Sequence, residues 1–246
     1  MKIAVCGKGG SGKSTISGAL ARHLARQGHK VVALDCDPNP NLGISLGVQR
    51  ESVESMSPIL NALIDSGHTH KDPKISAEVL LDRYGVDAPE GIRLVATGKI
   101  ERPSDACLCC GSHNTTRQFF GELPADDRVV IADLEAGLND LIWAKPGADD
   151  VVLAVTEGSA KSVEIARRAC RLAEELGVRR IIGIANRTVS DVDAKRIGEE
   201  LGVEMFVVPE DRAIEDADHL GIAAIDHDPT APAVAAIGEL AQQITR

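Results

Sequence analysis

Gly7-Lys8-Gly9-Gly10-Ser11-Gly12-Lys13-Ser14 follows a short apolar run at 3–6 and opens a stretch with helical periodicity. A strand, a glycine-rich loop and a helix in that order are the setting in which a phosphate-binding loop works. Glycines let successive N–H groups turn inward at a helix N-terminus, where the helix dipole also favours anions. On this reading Gly9, Gly10, Ser11 and Gly12 supply the backbone cradle and Lys13 reaches the β- and γ-phosphates. Ser14 offers its hydroxyl to Mg2+, and Thr15 is placed to bond the α-phosphate. The expected ligand is ATP with Mg2+, and the expected reaction is its hydrolysis to ADP and phosphate.

Outward from the loop, β-branched runs alternate with helical periodicity, the pattern of parallel strands joined by crossover helices. Strands are expected at 3–6, 31–35, 92–96, 129–133, 151–155, 181–185 and 203–208. The fold class is therefore α/β, with residues 1–246 forming a single P-loop domain whose mostly parallel sheet of about seven strands is flanked by helices. A representative helix spans about 159–176, with Val163, Ala166, Cys170, Ala173 and Leu176 on one stripe and Gly177 as its stop. Cys170 reads as a small core side chain there. Between about 49 and 91 no strand is legible, and Pro58, Pro73 and Pro89 punctuate an insert of helices and loops. His68 and His70 in that insert read as a solvated loop, because two imidazoles without a third ligand make a poor metal site.

Composition narrows the function classes. A chain with 43% hydrophobic and 26% charged residues can bury a sizeable core. A formal net charge of −10 repels nucleic-acid backbones and anionic membranes, and 2% aromatic residues leave little to stack on bases. No nucleic-acid partner and no membrane association are expected. With a strand-like start in place of a leader and no long apolar run, the expected compartment is cytoplasmic. Six cysteines in that setting argue against a disulfide framework. Three of them crowd into Cys107-Leu108-Cys109-Cys110.

Lys8, the early lysine of the loop, resembles the signature of the deviant phosphate loop of the MinD/ParA/nitrogenase iron protein ATPases. That resemblance implies a homodimer formed on ATP binding, with Lys8 of one subunit reaching the phosphates held by the other and assisting catalysis. Further motifs similar to that family's occur in order. Asp35-Cys36-Asp37-Pro38 and Asp133-Leu134-Glu135-Ala136-Gly137 each follow an expected strand. The water-orienting carboxylate is assigned to Asp37, with Asp35 as the alternative, and Asp133 is expected to hold Mg2+ through water. Ala185-Asn186-Arg187 and Val208-Pro209-Glu210-Asp211 are similar to the segments that enclose adenine, so Asn186, Arg187, Pro209 and Glu210 are expected at the base. Glu210 and Asp211 read equally well as helix-start residues.

Cys107 and Cys109 place two thiols on one short loop, and thiolates select soft or borderline metals such as Zn2+, Cu+ or Ni2+. Two ligands are too few for one metal, but a twofold dimer doubles them. Together with Asp35 to Leu42 and the Gly98-Lys99-Ile100-Glu101 step, this pair resembles the CooC-type subgroup, ATPases that assist nickel insertion into carbon monoxide dehydrogenase. The resemblance implies an ATP-dependent metallochaperone that binds Ni2+ or Zn2+ at its dimer interface and serves such a client metalloenzyme. Cys110 and His113 depart from the subgroup's pattern. An alternative is an iron–sulfur ATPase with a bridging [4Fe–4S] cluster. The related iron proteins place one ligand at the position of Ala136, which carries no sulfur. A further alternative, a MinD/ParA-type positioning ATPase, finds little support in a terminal helix at 231–244 followed by Arg246 as its single cation.

Overall fold

Apolar runs without polar alternation become strands covered on both faces, which is what a parallel sheet between two helical layers requires. The computed structural model describes residues 1–69, 71–100, 102, 108–123, 127–188 and 191–246, with 108–113 and 191–192 described through the helices they belong to. β1 (Lys2–Gly7) leads through the phosphate loop into α1 (Lys13–Arg26) and returns as β2 (Lys30–Asp35). Four helices follow, α2 (Leu42–Leu46), α3 (Arg50–Ser55), α4 (Ile59–Asp65) and α5 (Ala77–Tyr84). A short β3 (Val86–Ala88) and a turn at Pro89–Gly91 bring the chain to β4 (Ile92–Ala96). Then come α6 (Leu108–Glu122), β5 (Arg128–Asp133), α7 (Asn139–Ala144), β6 (Val151–Thr156) and α8 (Ala160–Glu175). β7 (Arg180–Thr188), α9 (Asp191–Leu201), β8 (Glu204–Pro209), α10 (Arg212–Leu220), α11 (Ala224–His227) and α12 (Pro232–Ile244) complete the described chain.

The strands form one eight-stranded sheet in the order β3-β4-β2-β5-β1-β6-β7-β8. Every pairing is parallel except β3 on β4. The seven expected strands are all present, and the eighth lies inside the insert where none was legible. Val86 pairs with Leu94 and Ala88 with Ile92. A three-residue edge strand is too short for a period-2 signal, and it forms because β4 offers it a partner.

Side chains alternate across the sheet into two cores. Ile3 and Val5 face the α1 and α12 side with Leu20, Leu24 and Ile237. Ala4 and Cys6 face the opposite side with Phe119, Val163, Ala166 and Cys170. Cys170 is 1% exposed, as its place on the stripe of α8 requires.

One ionic cluster ties the insert to the end of the chain. Arg22 of α1 is 3% exposed and donates both Nη groups to Asp226 of α11, at 2.8 and 2.7 Å. Its Nη2 also meets Glu90 at 2.9 Å, and Nη1 donates to the Leu46 carbonyl at 2.8 Å. Glu90 takes a left-handed φ of 58° to reach it. Removing the guanidinium would strand two carboxylates and a buried carbonyl. Because both carboxylates are partly solvated, Arg22→Ala is expected to lower stability by about 2–3 kcal/mol at unchanged m-value, measured by urea unfolding. A loss below about 0.5 kcal/mol would mean that the cluster is energetically idle.

Candidate nucleotide site

β2, β5 and β1 end side by side in the middle of the sheet, and the space beyond their carboxyl ends is the place where doubly wound sheets bind ligands. The β2–β5 register sets Asp35 beside Asp133, and the β1–β5 register sets Val5 beside Asp133. Two acidic side chains from segments about a hundred residues apart in sequence thus meet under the phosphate loop. Asp35 is 1% exposed and Asp133 2%.

The loop's shape depends on its glycines and on β7. Gly12 sits at φ 94°, and a Cβ there would lie 2.2 Å from Asn186 Nδ2. That amide instead donates to the Ser11 carbonyl at 2.8 Å, pinning the loop to the end of β7. Arg187, itself at φ 54°, directs Nη1 to the Gly10 carbonyl at 3.3 Å and to Glu157 Oε1 at 2.9 Å. Lys13 is buried at 8% exposure, whereas Lys8 is partly exposed with Nζ 3.5 Å from the Gly9 carbonyl.

Ser14 Oγ donates to Asp133 Oδ2 at 2.6 Å, and Ser17 Oγ, one turn further along α1, donates to Asp133 Oδ1 at 3.2 Å. A hydroxyl and a carboxylate side by side are the hard oxygen donors that Mg2+ takes, so these residues fit that ion. Burial pushes the Asp133 carboxyl upward from its usual range, while Ser14 and the Lys13 ammonium pull it back. Asp35 is also pushed upward, first by burial and then by Asp133 beside it. Its two oxygens accept backbone N–H groups, from Asp37 at 3.2 Å and from Leu42 at 2.8 Å. Asp35 therefore folds the loop 36–41, and Asp37 rather than Asp35 lines the cleft. The Asp37 carboxylate accepts Asn39 N at 2.8 Å.

The cleft over the loop has a volume of about 590 Å³, a size suited to a nucleotide. Asp37, Asn41 and Ala136 bound it on one side, and Arg187 with Ile214, Glu215 and Asp218 of α10 on the other. An adjoining hollow of about 20 Å³, room for a water, is lined by the apolar Ile16, Val208, Ile214 and Ile237 together with Asn186, Pro209, Glu210 and Asp211. Asp211 also has a structural part. It caps α10 through Ala213 N at 3.0 Å and holds Ala233 N at the start of α12 at 2.9 Å.

Three cysteines outside the cluster are buried thiols. Burial pushes Cys6 and Cys170 up to about 12 and Cys36 well above its ordinary value, so none of them is a thiolate near neutrality. Cys107 lies outside the described residues, as do His70 and Glu101, while Cys109 belongs to the first turn of α6. Among the described residues no group of three or more His, Cys, Asp or Glu is arranged to hold a metal ion.

Sequence reasoning missed Ser17, Glu157 and the cleft face of α10. Ser17 stands three residues after Ser14 on the same helical face, a spacing visible in the sequence. Glu157 and α10 had no local signal, because only the parallel packing of β6, β7 and β8 brings their ends to the loop.

The family model of the CobQ/CobB/MinD/ParA nucleotide binding domain matches residues 2–221. The chain is 34% identical over 202 residues to the carbon monoxide dehydrogenase accessory protein CooC of Rhodospirillum rubrum, with 78% of this chain and 76% of that protein covered. It is 34% identical over 195 residues to an uncharacterized ATP-binding protein of Methanocaldococcus jannaschii, with 76% and 75% covered. Among solved structures, the septum site-determining protein MinD of Pyrococcus horikoshii, complexed with Mg-ADP, has the same fold. Its TM-score is 0.77 at 20% identity, with 100% of this chain and 96% of that one covered.

Asp133→Asn keeps the side chain's shape but removes its charge. It is expected to weaken ATP binding about tenfold in excess Mg2+ while changing binding in a metal chelator less than about twofold. Calorimetric titration under both conditions checks this, and an equal loss in both would assign Asp133 to loop shape alone.

Proposed function

Because the chain belongs to the CobQ/CobB/MinD/ParA nucleotide-binding family, as a CooC-type ATPase within it, we propose that it spends ATP on loading a metal into a client metalloenzyme. The cargo is a nickel ion, the client is an enzyme like carbon monoxide dehydrogenase, and the working form is an ATP-bridged homodimer. The observation that carries this reading is the likeness to the Rhodospirillum rubrum accessory protein, in a chain that also bears Cys107-Leu108-Cys109.

In the proposed mechanism, the backbone of Gly9 to Ser14 cradles the phosphates, and Lys13 balances their charge from its buried position. Thr15 bonds the α-phosphate, and Asn186, Arg187, Pro209 and Glu210 border the base. Ser14 and Asp133 would hold magnesium, which would supply neutralisation of the charge that builds on the phosphates. Asp37, at the cleft wall, orients the attacking water and takes its proton. Lys8 adds its charge to the partner subunit's phosphates, which accords with its partly exposed position outside the lining of its own cleft.

Metal capture follows from the pairing. The two copies of Cys107 and Cys109 meet near the dimer axis, so four thiolates surround one Ni2+, with Zn2+ as the chemically similar competitor. Physical continuity supports the coupling. Gly137 N donates to the Gly7 carbonyl at 3.2 Å, α7 follows that segment, and α6, which starts at the cysteines, packs on α7. ATP favours the closed dimer, and loss of the γ-phosphate contacts releases it with its cargo.

Two measurements test this function. Lys8→Ala is expected to lower kcat for ATP hydrolysis about a hundredfold with nucleotide affinity within about threefold, because its contact forms across the closed interface. Parental turnover in that variant would rule out the nucleotide-bridged pairing. In a Ni2+ titration of the ATP-loaded protein, Cys107→Ala/Cys109→Ala should abolish the binding of one ion per dimer. Parental metal binding would remove the cysteine site.

A further inference from the structure

α4, in the insert between β2 and β4, is joined to the segment 97–100 by three hydrogen bonds. Leu60 N donates to the Thr97 carbonyl at 3.1 Å. Lys99 N donates to Asn61 Oδ1 at 2.9 Å, and Asn61 Nδ2 donates to the Lys99 carbonyl at 2.8 Å. A flipped amide would set donor against donor and acceptor against acceptor, so the partners dictate which way Asn61 points. Asn61 is 8% exposed, and Gly98 passes so close to α4 that a Cβ there would meet Leu60 Cδ1 at 3.3 Å.

The same segment grips the loop that carries Asp37. Thr97 N donates to the Asp35 carbonyl at 2.9 Å, and Ile100 N donates to the Pro38 carbonyl at 3.1 Å. Asp37 lies between those two anchor points. On the loop's inner side, Cys36 N donates to the Asp133 carbonyl at 3.0 Å. Segment 97–100 is thus bound to the Asp37 loop on one side and to Asn61 on the other, and a buried amide bonded through both its oxygen and its nitrogen has little freedom to turn.

We propose that Asn61 is a positioning residue for ATP hydrolysis. By fixing segment 97–100 it fixes the Pro38 carbonyl, and with it the place of the Asp37 carboxylate relative to the phosphate loop. Asn61 is outside the lining of the cleft, so it acts on the rate of the chemical step and not on nucleotide binding. The inference rests on the reading of Asp37 as the water-orienting group.

Steady-state hydrolysis by the full chain tests it. Asn61→Ala is expected to lower kcat about tenfold with KM for ATP within about twofold, as a displaced catalytic group does. Ile100→Pro deletes the N–H that Pro38 accepts and should lower kcat by a similar factor. Because both changes break one connection, the double variant should be no slower than the slower single variant. If Ile100→Pro does not fold, the kcat and KM of Asn61→Ala decide alone. Asp37→Asn serves as the reference: parental turnover there removes the reading of Asp37 and this inference with it. If Asp37→Asn is inactive, three results overturn the inference alone. These are parental kcat in Asn61→Ala, a fall in kcat matched by the loss of folded protein in thermal unfolding, and losses that multiply in the double variant.

Discussion

The parallel register that sets Asp35 beside Asp133 is the constraint from which the site follows. Two adjacent buried carboxyl groups resist ionising together, and both are pushed upward from their usual range. The chain answers the strain differently at each. Asp133 is met by the Ser14 and Ser17 hydroxyls and by the Lys13 charge, which makes it the oxygen donor facing the phosphate loop. Asp35 is turned onto backbone N–H groups, so its oxygens fold a loop and leave the cleft wall to Asp37. One pair of like residues is thereby divided between a carboxylate held by two hydroxyls beside the phosphate loop and one that shapes the neighbouring loop.

The loops at the carboxyl ends of these strands form a connected set. The phosphate loop is bound to β7 through Asn186, to the segment after β5 through Gly137 N, and to β6 through Arg187 and Glu157. The Asp37 loop is bound to β5 through Cys36 N and to the exit of β4 through Ile100 N. A change of charge at the phosphates therefore acts on several rigid elements at once, which is the physical requirement for a nucleotide switch. The insert contributes through α4, whose helix turns bring Leu60 and Asn61 against segment 97–100.

The cysteines divide along the same lines. Cys6, Cys36 and Cys170 are core side chains whose thiols burial holds protonated. Cys109 stands instead at the first turn of α6, a helix whose far end anchors the core through Phe119 and Phe120. Cys109 of the proposed metal pair thus belongs to a helix that packs on α7, the helix that follows Asp133 in the chain.

The sequence by itself determined the fold class, the phosphate loop and the order of the strands along the chain, because each is written in contiguous residues. Gly7 to Ser14 is a local pattern, and the buried strands are local apolar runs. It also named Lys13 and Ser14, which line the cleft, and Asp133 and Asn186, which are bonded to the phosphate loop and α1 beside it. Only the tertiary structure decided that Asp35 faces inward while Asp37 lines the cleft, since that depends on the N–H groups of Asp37 and Leu42 once α2 has formed. The same holds for the β3 edge strand, for α10 as a wall of the cleft, for Asp211 as a double cap, and for the grip of Asn61 on Lys99. Each is a pairing between residues distant in the chain, and the physical reason it was illegible is that a hydrogen bond or a register leaves no mark on either segment until the sheet has set them side by side.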